Sequence, residues 1–299
     1  MSTIAPAGPH AFPLSDLEVR ALVRAALDED RAFDDATTLA TVGPDVRASA
    51  TMAARAPGVL AGIPLAIATF LAMDATTECQ LRADDGGRLI VGSIVLTLEG
   101  RAAAMLSAER VALNFVQRLS GIATLTSRYV DAVAGTGARI LDTRKTTPGY
   151  RALEKYAVRC GGGTNHRSDL ADAVLIKDNH LAAMGGDVAE AVRRARALAP
   201  RGIVVQVECD DLDQVRAALD AGADSILLDN MAPPMLRKAV ALVSGRAVTE
   251  ASGGITLDTV RAAAESGVDH ISVGALTHSA PALDIALDFS QLGRRAVSS

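Results

Sequence analysis

The sequence predicts an α/β protein: a β/α barrel of parallel strands joined to an N-terminal α+β domain. Three observations carry that reading. From residue 139 onward, short aliphatic strands alternate with helical segments, an order that makes the strands parallel. A reactive or ligand-binding residue type follows each of those strands, as at the carboxyl-terminal face of a barrel. Over residues 1–105, by contrast, helix and strand patterns mix without βα alternation. The expected division is 1–114 for the N-terminal domain and 115–278 for the barrel. Residues 279–299 are expected to return to the first domain, because Leu283, Ile285, Leu287 and Phe289 are too apolar for a free tail.

In chain order, residues 1–13, with three Ala and three Pro, read as frayed. Ser15 and Glu18 form a capping box in which each side chain satisfies the other's end amide, opening a helix to Leu27. Residues 46–60 and 88–100 read as strands, with a helix from Ile63 to Met73 between them. Ser107 reads as the start of another helix, with Glu109 in its first turn where the dipole favours a carboxylate. Val111, Phe115, Leu119 and Ile122 mark its buried side, and Arg110, Asn114, Gln117 and Arg118 the other.

The barrel strands are expected at 140–141, 173–176, 203–207, 225–228, 247–248 and 270–273, and the helices at 187–199, 211–221, 234–244 and 256–266. The phrase from Asp220 to Ile226 recurs in outline from Glu265 to Ile271. In both, Gly222 and Gly267 sit where a helix must end left-handed before the next strand.

Composition narrows the function. The chain has 299 residues, 49% of them apolar, and a net charge of −5. No apolar run approaches the ~20 residues that span a bilayer, and the N-terminus lacks a signal-peptide pattern. Cys79, Cys160 and Cys209 are odd in number and widely spaced, which suits reduced thiols and a cytoplasmic protein rather than a disulfide frame or zinc site. From Arg139 to Arg167 there are seven Arg/Lys against two acids. A cationic island in an acidic chain argues against a nucleic-acid surface and for a small, multiply anionic ligand.

The candidate site residues follow from the strand ends. Arg144 and Lys145 follow the first strand, Lys177 the second, Glu208 the third and Asp229 the fourth. Ser252-Gly253-Gly254 and Val273-Gly274-Ala275 follow the last two, where barrel loops commonly hold a phosphate through backbone amides. The cations Arg144, Lys145, Arg167 and Lys177, with His166, suit two adjacent carboxylates. Glu208 and Asp229, beside the phosphate loops, suit Mg²⁺ on pyrophosphate, bound directly or through its waters, and ribose hydroxyls.

Asp142-Thr143-Arg144-Lys145-Thr146-Thr147-Pro148-Gly149, then Gly161-Gly162-Gly163-Thr164-Asn165-His166-Arg167, then Leu175-Ile176-Lys177-Asp178-Asn179-His180, resemble the quinolinate phosphoribosyltransferase family. Several separated blocks stand in the family's order, strongly over residues 105–285 and more loosely before them. The resemblance implies a type II phosphoribosyltransferase-like fold. It also implies transfer of phosphoribose from 5-phosphoribosyl-1-pyrophosphate (PRPP) to the ring nitrogen of quinolinate, with loss of CO₂, in pyridine nucleotide biosynthesis. Quinolinate and PRPP are then the ligands, Mg²⁺ the cofactor and a homodimer, or a higher assembly of dimers with shared sites, the assembly, because Arg110 matches an arginine that reaches substrate from the neighbouring subunit. Thr143 joins the substrate-binding set, and Lys145, Lys177, Glu208 and Asp229 are the candidates for catalysis. One position departs from the pattern: Gln206 stands where the family often has Glu, leaving any acidic role there open.

Two other functions suit the same residue types. One is a Schiff-base lyase using Lys177 or Lys145, since cationic neighbours depress a lysine pKa. The other is a related enzyme of this fold that acts on another small acid.

Overall fold

The computed structural model describes residues 10–291 of the chain, as two compact units. Among the described residues, the first unit comprises the chain up to Leu125, Ala152–Gly162, and the chain from Ala280 on. It contains α1 (Asp16–Glu29), α2 (Ala36–Thr41), β1 (Arg47–Ala54), β2 (Gly58–Val59), α3 (Ile63–Met73), β3 (Glu78–Leu81), β4 (Arg88–Leu89) and β5 (Ile94–Arg101). The helix α4 (Ala102–Ala132) continues past the unit boundary at Leu125.

The capping box of α1 is present: Glu18 N–H donates to Ser15 Oγ, and Ser15 N–H donates to Glu18 Oε2. Helix α4 starts earlier than its sequence suggests. Strand β5 pairs with β1 through Arg101, and Ala102 N–H then donates to Val46 O, so the chain turns into helix without a loop. Ser107 is therefore inside the helix, and its hydroxyl donates to Asp35 Oδ2, the side chain that caps α2. The Val111–Phe115–Leu119–Ile122 face is buried, as periodicity predicts. On the opposite face only Arg110 and Asn114 are exposed. Gln117 donates to Ile285 O and Arg118 to Ala280 O and Glu154. These contacts, with Val116 in the aliphatic core around Met52, Phe70 and Leu96, place residues 115–125 in the first unit, later than the expected 114/115 division.

The second unit, Thr126–Arg151 with Gly163–Ser279, is the parallel one. Its strands are β6 (Arg139–Leu141), β7 (Val174–Ile176), β8 (Val205–Cys209), β9 (Ser225–Asp229), β10 (Val248–Ser252) and β11 (His270–Ser272). Helix α5 (Arg151–Cys160) lies between the first two strands in sequence and clusters with the first unit from Ala152 on. The remaining helices are α6 (Asp178–Ala183), α7 (Val188–Leu198), α8 (Leu212–Asp220), α9 (Pro233–Val243), α10 (Val260–Ala264) and α11 (Ala275–His278).

Every ladder of this sheet is parallel, and the strand order is β6-β11-β10-β9-β8-β7. From β7 on, each strand thus lies beside its successor and the last beside the first, the cyclic order of a barrel; a doubly wound sheet would reverse direction partway. The cycle opens between β6 and β7, where Thr164 bridges to Leu141 instead. Helices α7, α8, α9 and α10 each pack on the next, on one side of the sheet. Gly222 and Gly267 end α8 and the α10 segment at φ +86° and +89°, a conformation a Cβ resists. The last strand, β12 (Ile285–Gln291), pairs antiparallel with β1 in the sheet β12-β1-β5-β3 of the first unit. Residues 1–9 and 292–299 lie outside the described set, as do parts of the sequence expectations that fall on them.

Candidate active site

Side chains alternate across a strand, so every second residue of a parallel strand faces the same way. On this sheet the alternation carries Leu175 and Lys177, Glu208, Leu227 and Asp229, Glu250 and Ser252, and Ser272 and Gly274 into one cavity of about 830 Å³. The intervening residues, among them Val207, Ile226, Leu228, Ala251 and Ile271, are buried and apolar. The cavity therefore lies beyond the carboxyl ends of the strands because binary patterning leaves its polar residues on that face alone.

Thr143, Arg144, Lys145, His166 and Arg167 complete one end. Thr143 Oγ1 accepts Lys145 N–H at 3.0 Å, and Thr277 Oγ1 donates to Lys145 O at 2.7 Å, fixing the turn after β6. The bridge from Thr164 to Leu141 brings the next segment alongside. Asp142, fully buried, then accepts Asn165 Nδ2 at 2.6 Å and His166 N–H at 2.8 Å. Arg167 Nη1 donates to Ala173 O at 2.8 Å.

This end is short of negative charge. Burial, then the neighbouring Arg144 guanidinium, hold the Arg167 pKa below its ordinary value, with Asp169 and Asp172 offsetting only part. Arg144 Nε is buried with no hydrogen-bond partner among the described residues. A buried donor left unmade costs on the order of 1–3 kcal/mol, a cost an anion would remove.

Two carboxylates, Glu208 and Asp229, also line the cavity. Glu208 Oε2 accepts Lys177 Nζ at 3.1 Å, and Asp229 pairs with Asn230 Nδ2. Asn230 is left-handed at φ +52°, and its N–H donates to Ser252 O at 2.9 Å. Its amide also abuts Gly253, where an added Cβ would lie 2.2 Å from Asn230 Oδ1; with φ +90° this position admits glycine only. Gly253 and Gly254 continue the cavity wall with Val273, Gly274 and Ala275.

Of the residues read from the sequence, all but Arg110 line this cavity. Arg110 is exposed on α4, in the first unit. The cationic island is also smaller than its count. Arg151 donates to Thr146 Oγ1 and Ser168 O, and Arg159 to Ala11 O, while Lys155 is buried in α5. Two residues were missed. Glu250, 2% exposed, sits in a strand read only as far as Val248, and a lone charged residue between Thr249 and Ala251 was the available signal. Asp142 was quoted in a motif without a role.

Among the described residues no three His, Cys, Asp or Glu side chains cluster as a ready metal cage. Two carboxylates in one cavity suit Mg²⁺ all the same, since it keeps waters and takes one or two carboxylates plus substrate oxygens. The three cysteines are free, and burial pushes Cys160 and Cys209 up to about 12. No helix among the described residues is long and apolar enough to cross a membrane.

Comparison with known proteins bears on this arrangement. Residues 35–120 match the quinolinate phosphoribosyl transferase N-terminal domain and residues 122–288 the C-terminal domain of the same family. The chain is 46% identical over 284 residues to the nicotinate-nucleotide pyrophosphorylase (carboxylating) of Mycobacterium leprae, covering 92% of this chain and 99% of that protein. It is 42% identical over 275 residues to the probable enzyme of that name from Bacillus subtilis, covering 92% and 94%. The crystal structure of NadC from Streptococcus pyogenes superposes with a TM-score of 0.89 at 41% identity, covering 94% of this chain and 100% of that one. The nicotinate-nucleotide pyrophosphorylase from Pyrococcus furiosus, only 16% identical, shares the fold with a TM-score of 0.68.

Proposed function

The chain belongs to the quinolinate phosphoribosyltransferase family, and we infer that it performs that family's reaction in NAD biosynthesis. Phosphoribose passes from PRPP to the ring nitrogen of quinolinate, pyrophosphate leaves, and loss of the 2-carboxylate as CO₂ gives nicotinate mononucleotide. The observation that carries this is one cavity that brings together the guanidiniums of Arg144 and Arg167, only partly balanced by nearby acids, the carboxylates of Glu208 and Asp229, and two glycine loops.

In this reading Thr143, Arg144, Lys145, His166, Arg167 and Lys177 form the dicarboxylate end, with Arg and Lys supplying the charge. Glu208 and Asp229 face the ribose and hold its hydroxyls. Ser252, Gly253, Gly254, Val273, Gly274 and Ala275 receive phosphate on backbone amides, where glycine permits close approach. Bond breaking at the ribose anomeric carbon develops positive charge on the sugar, so the carboxylates stabilise it and the frame aligns the ring nitrogen in line. No protein nucleophile is required. Mg²⁺ bound to pyrophosphate would neutralise the leaving group, and Glu208 and Asp229 would hold it directly or through water.

The assembly we propose is a homodimer, or a multiple of one, in which Arg110 of a second copy completes the dicarboxylate end. A long side chain on an exposed helix face serves a site when that face meets another subunit. The free thiols suit a cytoplasmic setting. Incubation with quinolinate, PRPP and Mg²⁺ should yield nicotinate mononucleotide and CO₂ in equal amounts. Absence of both, or a borohydride-trapped adduct on Lys177 or Lys145, would overturn the reading.

A further inference from the structure

One layer deeper than the strand-end residues, three polar side chains from separate segments meet. Glu250 on β10 accepts Gln206 Nε2 on its Oε2 at 2.8 Å, and the same oxygen lies 3.4 Å from His166 Nε2. Gln206 on β8, 5% exposed, shares its amide between Glu250 and the Ser225 hydroxyl, 3.2 Å away. The other Glu250 oxygen, Oε1, is buried with no hydrogen-bond partner among the described residues. The Ser272 hydroxyl acts on the carboxyl without reaching Oε1 in hydrogen-bond geometry.

The His166 ring has a defined proton arrangement. Its Nδ1 accepts Arg167 N–H at 2.7 Å and so carries no proton; Nε2 carries it and faces Glu250. Both ring nitrogens are thereby engaged inside the protein. The ring ties Glu250 on the sheet to the backbone of Arg167, whose guanidinium lines the dicarboxylate end.

The amide at 206 matters because of what it faces. An acid there would set a second carboxylate 2.8 Å from Glu250, away from water, and two such oxygens repel unless a proton lies between them. An amide donates without adding charge. Since Oε1 has no hydrogen-bond partner among the described residues, the Glu250 orientation rests on Gln206 and His166, with the Ser272 hydroxyl as the remaining contact, and loss of the amide loosens the carboxylate against the ring.

We propose that Gln206 is a positioning residue: its amide fixes Glu250, Glu250 fixes His166 in the Nε2–H form, and that ring holds the Arg167 backbone where the substrate's carboxylates bind. The substrate part rests on the quinolinate reading above; the proton arrangement does not. The effect belongs to quinolinate binding more than to turnover, because the chain ends at Arg167, which the quinolinate reading puts on the substrate's carboxylates.

The test joins ¹⁵N-histidine NMR of the unliganded protein with steady-state kinetics. In wild type the His166 signal, assigned by its absence in His166→Gln, should be that of a neutral ring protonated at Nε2. Gln206→Glu should shift that signal and raise KM for quinolinate about tenfold or more, by the size of a mismatched buried hydrogen bond, with KM for PRPP little changed. The double variant Gln206→Glu/Glu250→Gln restores an amide–carboxylate pair with the roles exchanged, and should recover most of both. A wild-type ring protonated at Nδ1 or at both nitrogens would overturn the proposal. So would a Gln206→Glu protein with unaltered signal and KM, or a double variant no better than the single one. If Gln206→Glu does not fold, the wild-type spectrum and the shift expected in Glu250→Gln decide. A wild-type protein with the stated spectrum and no product from quinolinate and PRPP would sink the functional reading and leave the proton arrangement standing.

Discussion

Asp85 in the first unit and Glu250 in the second are both almost fully buried carboxylates, and they differ in what is left over. Asp85 accepts Gly62 N–H at 2.8 Å, Ile63 N–H at 3.2 Å and Tyr156 Oη–H at 2.8 Å, so it joins the start of α3 to α5 with both oxygens used. Glu250 has one oxygen unused and borders a cavity. The same contrast runs through the two units. Asp74 is closed by Arg101 and Thr76, and Glu154 by Arg118, so that among the described residues of the first unit the neutral Thr77 hydroxyl is the one buried side-chain polar atom left unmatched. In the second unit the unmatched atoms belong to Arg144 and Glu250. Burial of a charge is therefore not what marks the site; a buried charge with unused hydrogen-bonding capacity is.

That contrast separates the expected outcomes of mutation. Substitutions at the two carboxylates that line the cavity, Glu208 and Asp229, should damage turnover and leave folding alone. Glu208→Ala and Asp229→Ala should each lower turnover on the order of a hundredfold or more, as for other groups aimed at developing charge, with little change in quinolinate affinity by titration. Normal Mg²⁺-dependent turnover in either variant would remove that residue from its role.

Substitutions at the closed set should do the reverse. Burial raises the Asp85 pKa to about 6, against the donors from Gly62, Tyr156 and Ile63, from an ordinary 3.8. An acid with a raised folded-state pKa stabilises the fold fully below the unfolded value, and that contribution is lost as pH rises through the folded one. Wild type should therefore lose up to about 3 kcal/mol relative to Asp85→Asn between pH 4 and 6. Urea denaturation of both proteins across that range would show parallel curves if the idea is wrong, and kcat for Asp85→Asn should stay near wild type.

The comparison also shows how far the sequence could be read. Strand ends were legible because alternation and βα order fix which residues face the cavity, so Lys177, Glu208 and Asp229 fell into place from spacing. Helix α4 was misread at its start because the cap of a helix that grows out of a strand is a tertiary hydrogen bond, Ala102 to Val46, and Ser107 only looked like one. Lys155 and Arg159 were counted with the cationic island because charge counts along a chain do not say which side of a helix is buried. Glu250 escaped notice since a strand's interior acid acquires meaning only from what stands across the sheet, here Gln206 and His166.

Arg110 is the residue on which the comparison can be sharpened, because it belongs to the first unit by position and to the site by resemblance. Arg110→Ala and Lys145→Ala should each be inactive. Mixed after mild dissociation, they should recover activity, since half of randomly paired two-fold dimers are hybrids with one intact site each, roughly a quarter of wild-type sites in all. No recovery in hybrids confirmed by mass would place Arg110 outside the partner's site.

The most direct measurement is calorimetric titration of the unliganded protein with quinolinate and with nicotinate, which lacks the second carboxylate. If the guanidiniums of Arg144, with its unpartnered Nε, and of Arg167, only partly balanced by Asp169 and Asp172, exist to take two adjacent carboxylates, quinolinate should bind at least about tenfold more tightly, the size of one charge-assisted hydrogen bond, and Arg167→Met should erase the difference. Equal affinities for the two acids in wild type, or a preference that survives Arg167→Met, would contradict the account.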